Sequence, residues 1–124
     1  MAQLAYVCVG TNDFDRATAF YDALLGEIGG KRLMPTPPGM LYSIGKGPMF
    51  MLCRPQDGKA ASFGNGTMVA IQVDNKEQVT ALHAKALALG GTCEGKPGPR
   101  GSFGDFSYFR DLDGNKLAAF FPAG

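Results

Sequence analysis

The sequence predicts an α+β fold built from two β-α-β-β-β modules, and three observations carry that prediction. Strand-like runs alternate with two segments of helical periodicity, the order of elements occurs twice, and residues recur at a fixed offset between the two halves. A shift of 62 residues lays Val7 on Val69, Thr18 on Thr80, Ala19 on Ala81, Leu25 on Leu87 and Gly29 on Gly91. Each half is too small to bury a sheet face alone, so the halves are expected to stabilise one another within a single domain. Module 1 covers about 1–54, a linker 55–65, and module 2 about 66–124.

In chain order, Leu4 to Gly10 is an apolar, β-forming run that leads into Asp13, a predicted helix N-cap. Phe14, Ala17, Phe20, Tyr21, Leu24, Leu25 and Ile28 then recur at three- and four-residue steps, which puts them on one helix face, and Gly29-Gly30 ends the helix. Strands are expected near Lys31 to Pro35, Leu41 to Gly45 and Met49 to Cys53, with turns at Pro37-Pro38-Gly39 and Gly47-Pro48. The second half repeats this plan. Thr67 to Val73 reads as a strand, Asp74 with Glu77 as a capping box, and Val79, Leu82, Ala86 and Leu89 as a helix face ending at Gly90-Gly91.

Strands follow at Thr92 to Glu94, Asp105 to Arg110 and Lys116 to Phe121, the last two joined through Asp111-Leu-Asp-Gly-Asn115. Asp-Gly between β-forming runs signals a tight hairpin, since Gly accepts the positive φ the turn needs. A calcium loop is excluded there, because no Glu closes a twelve-residue loop. The segment Gly98 to Gly104 reads as a loop able to act as a flap, with Arg100 a solvated side chain on it.

Composition narrows the function. With 45% hydrophobic and 19% charged residues the chain has the balance of a globular domain, and no apolar run is long enough to span a bilayer. A net charge of +1 with no basic stripe argues against nucleic acid or an anionic membrane as partner. The three cysteines, Cys8, Cys53 and Cys93, have neither disulfide-framework nor zinc-site spacing, which suggests free thiols. With no leader-like start, a cytoplasmic location is expected.

The segments Val9-Gly-Thr-Asn-Asp13, Ala19-Phe-Tyr-Asp-Ala-Leu-Leu-Gly26, Gly66-Thr-Met-Val-Ala-Ile-Gln-Val-Asp74 and Phe109-Arg-Asp-Leu-Asp-Gly-Asn-Lys116 resemble the vicinal oxygen chelate superfamily. That superfamily groups glyoxalase I, bleomycin- and fosfomycin-resistance proteins and extradiol dioxygenases. Leu112 departs from the usual Pro of its Asp-Pro-Asp-Gly turn. The resemblance implies a mixed sheet curled around a cavity with the helices outside, often in a homodimer. It also implies a divalent metal held at four strand positions, which here fall on Tyr6, Met51, Met68 and Ala118. A neutral phenol, two thioethers and a methyl group are poor ligands for a hard or borderline cation, so no metal or other cofactor is expected.

Strand alternation then assigns the cavity lining: Leu4, Tyr6 and Cys8; Met49, Met51 and Cys53; Met68, Ala70 and Gln72; and Lys116, Ala118 and Phe120. Val7, Val9, Phe50, Leu52, Val69, Ile71, Val73, Leu117 and Ala119 should back onto the helices. Of the lining set, Tyr6, Cys8, Met49, Met51, Cys53, Met68, Ala70, Gln72, Ala118 and Phe120 are the candidate ligand-binding residues, with no catalytic residue assigned. Such a soft, apolar lining suits a small hydrophobic or aromatic guest and favours a binding protein over an enzyme. The alternatives are a lyase, isomerase or dioxygenase with unorthodox or no metal, which would need Asp105, Asp111 or Cys53 turned inward, and an assembly or regulatory protein with a filled cavity. His83, the only histidine, should lie on the outer helix away from the cavity, and Cys8 and Cys53 could meet if their strands are neighbours.

Overall fold

The structure, a computed structural model, describes residues 1–37 and 39–124. Module 1 consists of β1 (Tyr6–Gly10), α1 (Phe14–Gly26), β2 (Lys31–Thr36), β3 (Gly39–Ser43) and β4 (Met49–Cys53). Module 2 consists of β5 (Val69–Gln72), α2 (Lys76–Ala88), β6 (Thr92–Arg100), β7 (Gly104–Arg110) and β8 (Lys116–Pro122). The helices begin 62 residues apart, as the repeat requires. Each module forms its own four-stranded sheet, in the order β1-β4-β3-β2 and β5-β8-β7-β6, with one parallel pairing in each. The two mixed sheets, one from each of the paired modules that the sequence predicts, do not close on one another.

Alternation places the helix-facing residues as expected. Val9, Phe50, Leu52, Ile71, Val73, Leu117 and Ala119 are buried against the helices, with Val7 and Val69 partly buried beside them. Residues Phe20, Tyr21, Leu24 and Leu25 of α1 and Val79, Leu82 and Ala86 of α2 complete this core. Burying a large apolar side chain contributes about 1.5–3 kcal/mol, so these helix faces fix which side of each sheet remains open.

Local differences have local causes. Asp13 caps α1 by accepting from the Arg16 amide, but α2 is capped by Asn75, which accepts from the Gln78 amide, rather than by Asp74. The Asp74 amide instead donates to the Gln78 side chain, so the reciprocal cap is one residue later than the Asp74/Glu77 pattern. Strand β6 extends to Arg100, and its bulges at Cys93/Gly95 and Gly95/Gly98 let Gly and Pro stay in register with β7. The expected flap, Gly98 to Gly104, is therefore the tip of the β6–β7 hairpin, with its first three residues in β6. Of the Pro37-Pro38-Gly39 turn, Pro38 lies outside the described residues.

The modules are clasped through the β7–β8 turn, where Gly114 has φ +87°. The buried Asp111 carboxylate accepts from the Tyr21 hydroxyl of α1, from the Asp113 and Asn115 amides and from the Asn115 side chain. Asn115 also donates to the Gly10 carbonyl, and the Asn12 amide donates to Asp113. Burial first, then the facing Asp111 charge, pushes the Tyr21 phenol well above its ordinary value, so it stays a hydrogen-bond donor.

Candidate functional site

The side of each sheet turned away from its helix carries the predicted site residues. In module 1, β1 and β4 run parallel with Tyr6 beside Met49, Cys8 beside Met51 and Gly10 beside Cys53. Tyr6 is 53% exposed, Cys8 is exposed, and Met49, Met51 and Cys53 are half-buried. In module 2, Ala70 pairs with Ala118 and Gln72 with Phe120. Met68, 42% exposed, precedes this strand on the same side as Ala70 and Gln72, which are also exposed. Ala118 is fully buried, so it floors this face rather than opening onto it.

Strand β7 adds residues that the sequence reading left out. Its register sets Phe106 opposite Phe120 and Tyr108 opposite Ala118. Phe106 and Phe120 lie 4.5 Å apart between ring centroids, and Phe106 stacks on Tyr108 at 5.7 Å. Two cations attend the Tyr108 ring, the Lys116 ammonium at 5.3 Å and the Arg100 guanidinium at 5.5 Å. Arg100 is held there by the carbonyls of Lys96, Gly98 and Pro99 and is not a freely solvated loop residue. Strict alternation along β7, applied as it was to the other strands, would have found both aromatics.

Among the described residues, the ten predicted residues are not all gathered in one cleft. A cleft of about 680 Å³ runs between the β1 and β5 edges, and it gathers only Met49, Met68, Ala70 and Gln72 of them, with Leu4 and Ile28 among its apolar walls. Tyr6, Cys8, Met51, Cys53, Ala118 and Phe120 lie outside this cleft. A second hollow of about 530 Å³ lies beneath the linker around Asn12, Arg54 and Lys59.

The groups that could have supplied other chemistry are engaged elsewhere. Asp105 lies 3.8 Å from the Lys76 ammonium at the start of α2, on the helix side, and Asp111 is the clasp already described. Among the described residues, no three His, Cys, Asp or Glu side chains converge as a metal-binding group. His83 is buried on α2, remote from the open faces as expected, but its Nε2 meets the Cys93 sulfur at 3.2 Å, a pairing the sequence reading missed. Burial pushes the His83 imidazole below its ordinary value and favours the neutral ring. Cys8 and Cys53 do meet, sulfur to sulfur at 2.8 Å. Desolvation around its sulfur, followed by the hydrogen bond with Cys53, pushes the Cys8 thiol up to about 12.

The pattern of two such modules is that of a known family, whose model matches residues 3–119 under the description Glyoxalase/Bleomycin resistance protein/Dioxygenase superfamily. The chain belongs to that superfamily. A glyoxalase/bleomycin resistance protein from Albidiferax ferrireducens T118 is 37% identical over 95% of this chain and 97% of its own, with a TM-score of 0.86. The same fold occurs in a lactoylglutathione lyase from Agrobacterium tumefaciens, at 20% identity and TM-score 0.73 over 98% of this chain and 94% of that one. It occurs also in a fosfomycin resistance protein from Listeria monocytogenes, at 17% identity and TM-score 0.73 over 99% and 92% of the two chains. No curated protein matches the sequence. Among the described residues, no helix of this superfamily member is long and apolar enough to cross a membrane.

Proposed function

We propose that this protein binds a small aromatic or hydrophobic molecule against its open sheet faces and does so without a divalent metal. The observation that carries the reading is the floor of Phe106, Tyr108 and Phe120 with Lys116 and Arg100 beside it. Aromatic faces stack on a planar guest, and the two cations favour one that bears an anionic substituent. The four positions that the resemblance assigns to the metal hold Tyr6, Met51, Met68 and Ala118, which do not fit a hard or borderline cation.

Completion of the site by a second copy belongs to the same reading. Tyr6 and Met68 are 53% and 42% exposed on the two faces, and Leu4 stands open near them. A homodimer that apposes the module 1 face of one copy to the module 2 face of the other would cover all three and enclose the guest. The free thiols suit a reducing compartment, which supports a cytoplasmic location.

The test is a melting scan of the untagged protein with 2-naphthoate, alongside elemental analysis after purification without chelators. A ligand that binds only the native state at about 100 times its Kd adds about 2.7 kcal/mol of stability. The melting temperature should therefore rise with 2-naphthoate in the native protein and stay fixed in Tyr108→Ala. No rise in the native protein would favour an assembly role, and stoichiometric manganese, nickel, zinc or iron would overturn the metal-free reading. Sedimentation should give a dimer that Met68→Lys dissociates; a native monomer would remove the second copy from the site.

A further inference from the structure

The Cys8–Cys53 pair is used neither by the core nor by the aromatic floor of module 2. Its sulfurs lie 2.8 Å apart on the open face of module 1. Met51 pairs with Cys8 across the strands and precedes Cys53 by two residues, so a thioether shares the face with both thiols. Gly39 sits opposite Cys53 on β3, buried and packed so closely against the Leu52 carbonyl and Cys53 that no side chain fits there, so β3 adds no donor at that position. Strands β1, β3 and β4 contain no Asp, Glu or His, so the donors offered here are almost entirely sulfur.

The strand register decides between a bond and a bridge. Cys8 stands level with Met51, and Cys53 with Gly10, so the thiols face each other along a diagonal. With a rise of about 3.3 Å per residue and strands about 4.8 Å apart, their Cα atoms are separated by roughly 8 Å. That exceeds the reach of an unstrained disulfide, about 7 Å, so a direct bond would require the backbone to move. A bridging ion requires only that the sulfurs part along the line they already span.

We propose that Cys8 and Cys53 form a binding site for a soft thiophilic cation of the copper(I) class, with the Met51 thioether as a third donor. Thiolate and thioether ligands select such an ion over hard cations, for which this face has no carboxylate. Binding forms two copper–thiolate bonds and one copper–thioether bond, releases one proton from each thiol to solvent, and consumes neither oxidant nor reductant. The site rests on the thiols of module 1 and stands or falls independently of the aromatic guest.

The experiment is an anaerobic titration of the reduced full-length protein against copper(I) held by the chromophoric chelator bicinchoninate. The protein should withdraw one equivalent. Cys8→Ser or Cys53→Ser should weaken retention more than about 100-fold, beyond the 10- to 100-fold typical of losing a group that merely supports a ligand. Met51→Leu should weaken it by less, and Cys93→Ser should leave it unchanged.

Failure of the native protein to withdraw copper, equal uptake by the Cys8→Ser/Cys53→Ser double variant, or equally tight binding of zinc(II) would each overturn the assignment. The folded native chain supplies a check that needs no variant. Copper(I) should protect Cys8 and Cys53, but not Cys93, from iodoacetamide, and unchanged alkylation at Cys8 and Cys53 would refute the site.

Discussion

The two modules share a plan and spend their aromatic side chains in opposite directions. Module 1 turns most of them inward: Tyr21, Tyr42 and Phe50 are all buried between α1 and its sheet, with the Tyr21 and Phe50 rings 4.8 Å apart, and Tyr6 is the aromatic left on its open face. Beside Tyr6, that face is mostly sulfur, from Cys8, Met49, Met51 and Cys53. Module 2 keeps Phe109 as the aromatic of its buried core and places Phe106, Tyr108 and Phe120 on the open side with Lys116 and Arg100. The repeat thus conserves helix, caps and parity while the exposed chemistry differs. A duplicated scaffold can hold two unlike surfaces because the helix side alone must be apolar for each module to fold.

The comparison is sharpest at Tyr21 and His83, which occupy equivalent positions 62 residues apart on the buried faces of α1 and α2. Tyr21 reaches out of its module to Asp111, whereas His83 finds Cys93 on β6 of its own module. Module union should therefore depend on the first pair far more than on the second. The largest effect is expected for Asp111→Ala, which leaves the Tyr21 hydroxyl and the Asn115 donors without their acceptor. With each abandoned buried group costing about 1–3 kcal/mol, a loss of roughly 3–5 kcal/mol should appear in urea unfolding. A loss under 1 kcal/mol would mean that Asp111 does not join the modules.

Tyr21→Phe removes one partner of that carboxylate and keeps the ring against Phe20 and Phe50. A hydrogen bond to a charged group is worth about 1.5–3 kcal/mol, so the expected loss is of that size and smaller than for Asp111→Ala. In the double variant the two losses should fall short of additive, because both act on the same bond. Full additivity would show that the two side chains act independently.

Periodicity carried most of the fold into the sequence, and its limits are physical. The 62-residue offset and strand parity were legible because a helix face and a half-buried strand impose fixed spacings on apolar residues. Strand β6 was not legible beyond Glu94, since Lys96-Pro-Gly-Pro-Arg100 has the composition of a loop. Proline survives there because β6 is the edge of its sheet. The aromatic floor was legible but unread on β7, where the alternation applied to the other strands would have put Phe106 and Tyr108 beside Phe120. The join between the modules was not legible, because it is made where α1 and the residues before it meet the β7–β8 turn. That contact is made by Tyr21, Arg16 and Asn12 on one side and by Asp111, Leu112 and Asp113 on the other, and no local spacing announces it.

The smallest expected effect tests the other member of the pair and has a pH signature that the clasp lacks. Burial lowers the His83 pKa from its ordinary 6.5, so the folded chain holds the ring neutral where the unfolded chain would begin to protonate it. Stability from this group is fully present above about pH 6.5 and falls as pH drops below it, because the unfolded state then binds more protons. His83→Gln should unfold with a flatter dependence between pH 7.5 and 5.5 than the native chain, measured by urea midpoints across that range. If the native and His83→Gln curves run parallel, His83 is not the group that titrates. If Tyr21→Phe flattens the curve as His83→Gln does, the two positions are energetically linked through the packed helices, and the contrast between an intermodule clasp and an internal contact must be abandoned.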